Sequence, residues 1–453
     1  MQIIQPSKDG TIEAVSVQYV LDNLDALKRN SVPVFRGLKN ANGDLKPQRV
    51  EPDLAASVPE AERGQKLFLV DRAWKRTLFT SSDTFNAQLA PFAGKSPEER
   101  ARAVSALKQV IAQLKAEQAD PGEKAQAIMD SVKDVFLLNK ASLKLKPAEV
   151  SEHEKSVAKD TESIISSAME MADDPALVEG LFAGFQSLSN GQTVNHVLRV
   201  FATYSGFVKH YNNQHQAGLV PSLRRIFPRT YLDHYREFVP ALKPELLPAD
   251  SLLTSDNLLQ LSKFKPEDMK ELALGAFLHD IGKMGNLDYF ESDSGYDPAQ
   301  IRQHVFLSAG LILMNYGADH NLARLLAGDH HNAMNHGDGY GVTRLEREKG
   351  RRKPAALERA LSSTMEGFVS GQALGFLPVE MLAVADVYDA MIDTSRTYKK
   401  ALSSAEAVVF LEETMAAKQK LDPVLVDLFI DYLRSNGVDV PDNRGFLYKL
   451  RTA

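Results

Sequence analysis

The chain has 453 residues, of which 44% are hydrophobic and 25% charged, with a formal net charge of -6 and no cysteine. This is enough apolar side chain for more than one buried core. The absence of cysteine excludes disulfides and thiolate metal sites, and the acidic balance argues against broad binding of a nucleic-acid polymer while allowing a local basic pocket. No run approaches the roughly 18 apolar residues of a membrane span, and Met1 to Gly10 lacks the charged and apolar regions of a signal peptide, so a cytoplasmic chain without a membrane span is expected.

Residues 1–92 have their own texture. β-prone runs at Glu13 to Val20, Pro33 to Arg36 and Lys66 to Asp71 alternate with turn signals such as Asn42-Gly43, which suits a hairpin in a small α+β domain, regulatory in role if any. A helical connector is expected over 93–154. Ser96-Pro97-Glu98-Glu99 offers an N-cap, a proline at the first helical position and the acid of a capping box, and Val104, Leu107, Val110, Ile111 and Leu114 follow at helical spacing. Asp120-Pro121-Gly122-Glu123 repeats that grammar ahead of Ile128, Met129, Val132, Val135 and Phe136. From 155 to 453 the apolar pattern is helical throughout, giving a mainly α fold. Pro and Gly cluster in Leu219 to Asp250 and in Gly337 to Pro354, which read as irregular insertions, near 210–265 and 342–377.

Chemistry enters with the 11 histidines. His279-Asp280 closes an apolar helical run and puts one nitrogen and one carboxylate at adjacent positions, and a carboxylate has two oxygens with which to bridge two cations. His304, the pair His330-His331, and Asp386 in Ala385-Asp386-Val387-Tyr388-Asp389-Ala390 each lie on or beside an apolar helix, as does His196 upstream. A buried imidazole or carboxylate needs a partner or a metal to offset its desolvation, so several converging in one bundle point to a site.

In this order, with Gly337-Asp338-Gly339-Tyr340 after the double histidine and Arg396, Tyr398 and Lys399 after Asp386, the set resembles the HD-GYP family of metal-dependent cyclic di-GMP phosphodiesterases, a branch of the HD superfamily. The resemblance covers residues 155–453 and implies an all-helical HD-type catalytic domain. It implies that His196, His279, Asp280 and Asp386 hold one divalent metal ion, and that His304, His330 and His331 hold a second, sharing Asp280. Iron or manganese suits these hard oxygen and imidazole donors. It implies catalytic roles for Asp280, Lys283 and Asp389, and substrate binding by Lys283, Arg396, Lys399 and Tyr340. The reaction it implies is hydrolysis of cyclic di-GMP to linear pGpG, and onward to GMP, with a metal-bridging hydroxide as nucleophile.

The chain departs from the family pattern. Gln192 replaces a Glu one turn before His196, so a third metal at that centre is not expected. Asn332 and Asn335 replace acids, and Gly341 stands where the family has proline. Two longer connections also separate the motifs, the second holding the basic run Arg344 to Lys353, read either as a solvated loop or as a gate over the site. These changes keep two alternatives open: a slow or inactive cyclic-dinucleotide sensor, or a phosphodiesterase for another cyclic dinucleotide. A protein partner at the N-terminal domain or the Gly-Tyr loop, and a homodimer, also stay open.

Overall fold

The computed structural model describes residues 12–15, 17–22, 34–39, 45–50, 52–59, 68–71, 89, 91–116, 120–144, 146–171, 193–242, 253–259, 261–285, 291–292, 295–296, 302–332, 339–342, 376–393 and 401–453. The chain divides into two compact units, Met1–Asp83 with Asp293–Gly295, and Thr84–Ser292 with Tyr296–Ala453.

In the first unit, strands β1 (Ile12–Val15), β2 (Val34–Lys39), β3 (Leu45–Val50) and β4 (Phe68–Asp71) form an antiparallel sheet of order β1-β4-β2-β3. β2 and β3 make a hairpin that pairs Val34 with Val50 and Lys39 with Leu45. Its turn, Asn42-Gly43, lies outside the described residues. The β-prone run through Val20 is only partly a strand, because α1 (Val17–Asp22) takes over at Val17. Val17 and Val20 are both buried, and three-residue spacing puts them on one face of a helix but on opposite faces of a strand.

The second unit is helical. α2 (Pro97–Ala116) opens on a reciprocal capping box: the Ser96 amide donates to Glu99 Oε2 (2.7 Å), and the Glu99 amide to Ser96 Oγ (3.2 Å). Val104 and Ile111 bury one face of it, whereas Val110, grouped with them by spacing, falls off that face and is 39% exposed. α3 (Pro121–Ser142) opens on Asp120, whose side chain accepts from the amides of Gly122 and Glu123. α4 (Glu152–Met171) packs on both. There follow α5 (Thr193–Gln216), α6 (Leu219–Thr230), α7 (Leu232–Leu242), α8 (Ser255–Leu259), α9 (Pro266–Leu278), α10 (Gln303–Tyr316), α11 (Asn321–Asp329) and α12 (Leu377–Ile392). α13 (Ser404–Phe410) continues as a π-turn through Ala416, and α14 (Pro423–Ser435) and α15 (Phe446–Thr452) complete the chain.

Residues 219–242 are therefore two helices rather than an irregular insertion. Pro221 sits in the first turn of α6, where its missing N–H costs nothing, and burial of Leu219, Leu223, Ile226 and Phe227 along one face outweighs Pro228 near the other end. The second proline-glycine segment, Gly337 to Pro354, falls almost wholly outside the described residues.

Two close approaches bring the chemistry together. A Cβ on Gly275 would meet the Ala323 Cα at 2.8 Å, so α9 and α11 touch nearly backbone to backbone. A Cβ on Gly282 would meet the His304 carbonyl at 2.3 Å, which lets the turn after Asp280 sit directly on α10. Phe277, two residues before His279, packs edge-on against Phe136 of α3 and Phe201 of α5 at centroid distances of 5.2 and 5.8 Å. The helices of the expected connector thus share one core with those that carry the histidines.

One buried acid pair gives a stability prediction. Asp422 caps α14, accepting from the amides of Val424 and Leu425 and from the Tyr235 hydroxyl; burial pushes its carboxyl up to about 6, while these bonds favour its ionised form. Glu380 on α12 is buried, and burial first and then the Asp422 charge push its carboxyl well above the ordinary range. A carboxyl raised in the folded state binds its proton more tightly there than in the unfolded chain, so it makes stability fall as pH rises above about 4.5 toward the raised value. Glu380→Gln should flatten that decline and raise the melting temperature at pH 8 more than at pH 5. Thermal melting at the two pH values checks this.

Candidate metal centre

His279 and Asp280 follow α9, His330 and His331 follow α11, His304 is near the start of α10, His196 lies in the first turn of α5, and Asp386 and Asp389 are on α12. One local device orients two of the rings. His279, at the C-terminus of α9, donates Nδ1–H to the Ala276 carbonyl (2.8 Å), and His330, at the C-terminus of α11, donates Nδ1–H to the Ala327 carbonyl (3.0 Å). The last carbonyls of a helix have no amide partner. Each ring satisfies one of them and is thereby fixed in the tautomer that leaves Nε2 with a lone pair.

Asp280 stands at the centre. Its Oδ1 lies 3.2 Å from His304 Nε2 and 3.4 Å from His330 Nε2, while its Oδ2 lies 3.6 Å from His279 Nε2 and 3.7 Å from His196 Nε2. His196 Nε2 is also 3.0 Å from Asp386 Oδ1, and Asp386 Oδ2 is 3.8 Å from His331 Nδ1. Two groups of donors result, Asp280-His304-His330-His331 and His196-His279-Asp386, and within each the ligand atoms lie within 4.8 Å of one another. All but the half-buried His331 are buried.

The electrostatics suit ligation. Burial pushes His279 down to about 3 and His304 down to about 4, and it drives His331 well below its ordinary value, so these rings are neutral at pH 7. Asp280 and Asp386 stay ionised: burial opposes this, but the Lys283 ammonium holds Asp280 low and His196 does the same for Asp386. His279 Nε2 is buried with no hydrogen-bond partner, and His196 Nε2 and Asp280 Oδ1 make no well-formed hydrogen bond although Asp386 Oδ1 and His304 Nε2 lie at 3.0 and 3.2 Å from them. Such an orphan costs about 1–3 kcal/mol in the protein alone, and a divalent cation at each group would give all three atoms partners. Nitrogen and oxygen donors without sulfur fit a first-row divalent ion.

Around the ligands lie residues that composition did not single out. Arg199, one turn after His196, sends Nε to Asp389 Oδ1 (2.6 Å) and Nη2 to Asp393 Oδ2 (3.1 Å), and Asp389 Oδ2 lies 2.7 Å from His196 Nδ1. Both Asp389 oxygens are therefore engaged behind His196. The signal for Arg199 was present as i,i+3 spacing from His196, opposite acids on α12 spaced three and four apart. Lys283 Nζ is 2.6 Å from Asp280 Oδ2 and one quarter exposed. Lys140 of α3 donates to the Ile281 carbonyl (3.1 Å), the residue after Asp280. The Tyr340 amide donates to the His331 carbonyl (2.9 Å), its ring lies 4.9 Å from the His331 ring, and the Arg302 guanidinium stands 5.6 Å over it. A Cβ on Gly341 would come within 2.2 Å of Asp329 Oδ1, so the chain passes too close there for any larger residue. Gln192, Asn335, Gly337, Asp338, Arg344 to Lys353, Arg396, Tyr398 and Lys399 lie outside the described residues.

The helical unit thus carries two adjoining His/Asp groups, each of which could hold a metal ion. A family model described as HD domain matches residues 250–364, which include His279, Asp280, His304, His330 and His331 and leave out His196, Asp386 and Asp389. The match supports membership of the HD superfamily, whose domains bind divalent metals, and points to hydrolase or phosphodiesterase chemistry. Neither a search of curated proteins nor one of solved structures found a match. No helix among the described residues is long and apolar enough to cross a membrane.

Proposed function

We propose that the chain is a dinuclear-metal phosphodiesterase that hydrolyses cyclic di-GMP, as HD-GYP proteins do. The observation that carries this reading is the placement of Asp280, with one carboxylate oxygen against the imidazoles of each donor group. Divalent ions held there, iron or manganese by donor type, would polarise a phosphoryl oxygen and supply a hydroxide nucleophile at neutral pH. The chain's own residues do the rest. His196, His279 and Asp386 would hold one ion and His304, His330 and His331 the other, with Asp280 shared between the two groups. Asp389 positions: it fixes the His196 ring through Nδ1 and is itself held by Arg199, so a direct part in bond cleavage is replaced by an orienting one. Lys283 keeps Asp280 ionised and presents its ammonium beside it for a non-bridging phosphate oxygen. Tyr340, packed beside His331 and under the Arg302 guanidinium, is assigned to the substrate side of the site, and Arg396 and Lys399 supply further charge for the second phosphate.

The test is turnover of cyclic di-GMP by metal-loaded protein, with linear pGpG as the first product. Lys283→Ala should lower kcat by about 10²-fold with a smaller change in KM, since its interaction is made mainly with developing charge. Arg396→Ala should chiefly weaken binding. Tight binding of cyclic di-GMP without turnover would favour the sensor reading instead, which the amides Asn332 and Asn335 and the close-packed Gly341 support. Turnover of a different cyclic dinucleotide alone would redirect the substrate assignment.

A further inference from the structure

A third donor set lies apart from the two groups around Asp280: Glu162 on α4, Glu271 on α9, and His320, which immediately precedes α11. Their ligand atoms lie within 4.8 Å of one another. His320 Nδ1 is 2.5 Å from Glu271 Oε1 and His320 Nε2 is 4.0 Å from Glu162 Oε1, so one imidazole faces two carboxylates from two other helices. The ring is set in place from behind. It meets the Tyr316 ring edge-on at 5.8 Å, and the Tyr316 hydroxyl is fixed by Asn139 of α3 (2.6 Å).

The charge count around this set is incomplete. Among the described residues neither Glu162 nor Glu271 has a Lys or Arg ion-pair partner, whereas Glu154 on the same helix as Glu162 has Lys144 at 3.1 Å and Arg100 at 3.9 Å. A protonated His320 would offset only one of the two negative charges, and Asp319 next in sequence adds another. The Glu271 side chain is about one fifth exposed and its Oε1 is held by His320, but its Oε2 is buried with no hydrogen-bond partner, so part of the cost of placing this carboxylate is not offset by the protein alone. An imidazole and two carboxylates on three helices, short of positive charge and with one oxygen orphaned, have the donor chemistry of a site for a borderline divalent cation.

We propose that Glu162, Glu271 and His320 bind a divalent first-row cation, zinc by donor type, in a site separate from the Asp280 centre. Three protein ligands leave room for a water in a tetrahedral shell. The ion ties α4 to α9 and to the start of α11. At a rise of about 1.5 Å per residue, Glu271 lies about 12 Å along the chain axis from His279, and His320 about 15 Å from His330. The site therefore braces α9 near its middle and α11 at its start, the two segments that deliver His279-Asp280 and His330-His331.

The experiment uses the full chain, stripped with chelator, reloaded with zinc chloride, desalted and measured by elemental analysis and thermal melting. Wild type should carry one more zinc per chain than His320→Ala and one more than Glu162→Gln/Glu271→Gln, and zinc should raise its melting temperature more than theirs. The paired glutamine variant keeps side-chain size, and its helical circular dichroism establishes that it folds should His320→Ala fail to. In an Asp280→Ala background, cobalt should still bind and give a ligand-field absorbance that adding His320→Ala abolishes, which separates this site from the Asp280 centre. Equal zinc content in wild type and both variants, or cobalt absorbance in the Asp280→Ala chain that is absent or indifferent to His320→Ala, would overturn the proposal.

Discussion

Asp280→Ala is expected to remove both ions of the central site and to lower phosphodiester hydrolysis by about 10³-fold or more, the several kcal/mol that charge stabilisation by metal supplies. Each Asp280 oxygen faces a different donor group, so neither group keeps its full ligand set without it. The substitution also leaves the Lys283 ammonium, now 2.6 Å from Asp280 Oδ2, without its carboxylate partner beside a cluster of imidazoles. Cation repulsion thus adds to the lost ligand. Asp280→Asn should behave nearly as badly, because an amide keeps the volume but supplies one poor ligand oxygen in place of two good ones. Elemental analysis and an initial-rate assay on the same preparation read both effects, and an Asp280→Ala protein that kept both ions would contradict the assignment.

The second large effect is expected from Asp389→Ala. Arg199 and Asp389 are both buried, paired at 2.6 Å and reinforced by Asp393, so removing the carboxylate leaves a buried guanidinium with half its partners. Breaking a buried pair in this way costs about 3–5 kcal/mol of stability. His196 loses the acceptor at its Nδ1 as well, and affinity at the His196-His279-Asp386 group should fall about 10–100-fold, the usual consequence of losing a ligand's orienting partner. The pH dependence carries a sign. Burial raises the Asp389 carboxyl, but the bonds from His196 and Arg199 outweigh it and hold it below its ordinary 3.8. Its stabilisation is therefore present above about pH 3.8 and lost as pH falls through the depressed value, so the gap between variant and wild type should narrow in acid. Urea denaturation of metal-free protein at pH 7 and pH 3 measures this. A variant as stable as wild type at pH 7 would count against the buried network.

Much of the donor set could be read from residue types in order, because its histidines and Asp280 fall at helix ends and in first turns, where short motifs such as His279-Asp280 and His330-His331 stay together in sequence; Asp386 lies mid-helix in α12. What sequence did not reveal is how those ends meet. Asp280 acquires one oxygen per group only because Gly275 lets α9 lie against α11 and Gly282 lets the following turn rest on α10, and a glycine in sequence does not say what approaches it. Arg199 and Asp389 form a pair between α5 and α12, and Glu162, Glu271 and His320 come from three helices, so no local window holds either constellation. The helices α2 and α3 were legible from their caps and apolar spacing. At α6 the prolines at 221 and 228 misled, since propensity is local and the burial of Leu223, Ile226 and Phe227 is not. At α1 the β-prone residues Val17 and Val20 follow their burial on one helical face rather than their propensity.

The most direct test of two ions sharing Asp280 is electron paramagnetic resonance of protein loaded with manganese(II). Ions bridged by one carboxylate, about 3.5–4 Å apart as in other two-metal sites, are magnetically coupled. Wild type should give the spectrum of an exchange-coupled pair, and Asp280→Ala should not. A wild-type spectrum of isolated manganese ions alone, at full metal loading, would contradict the account.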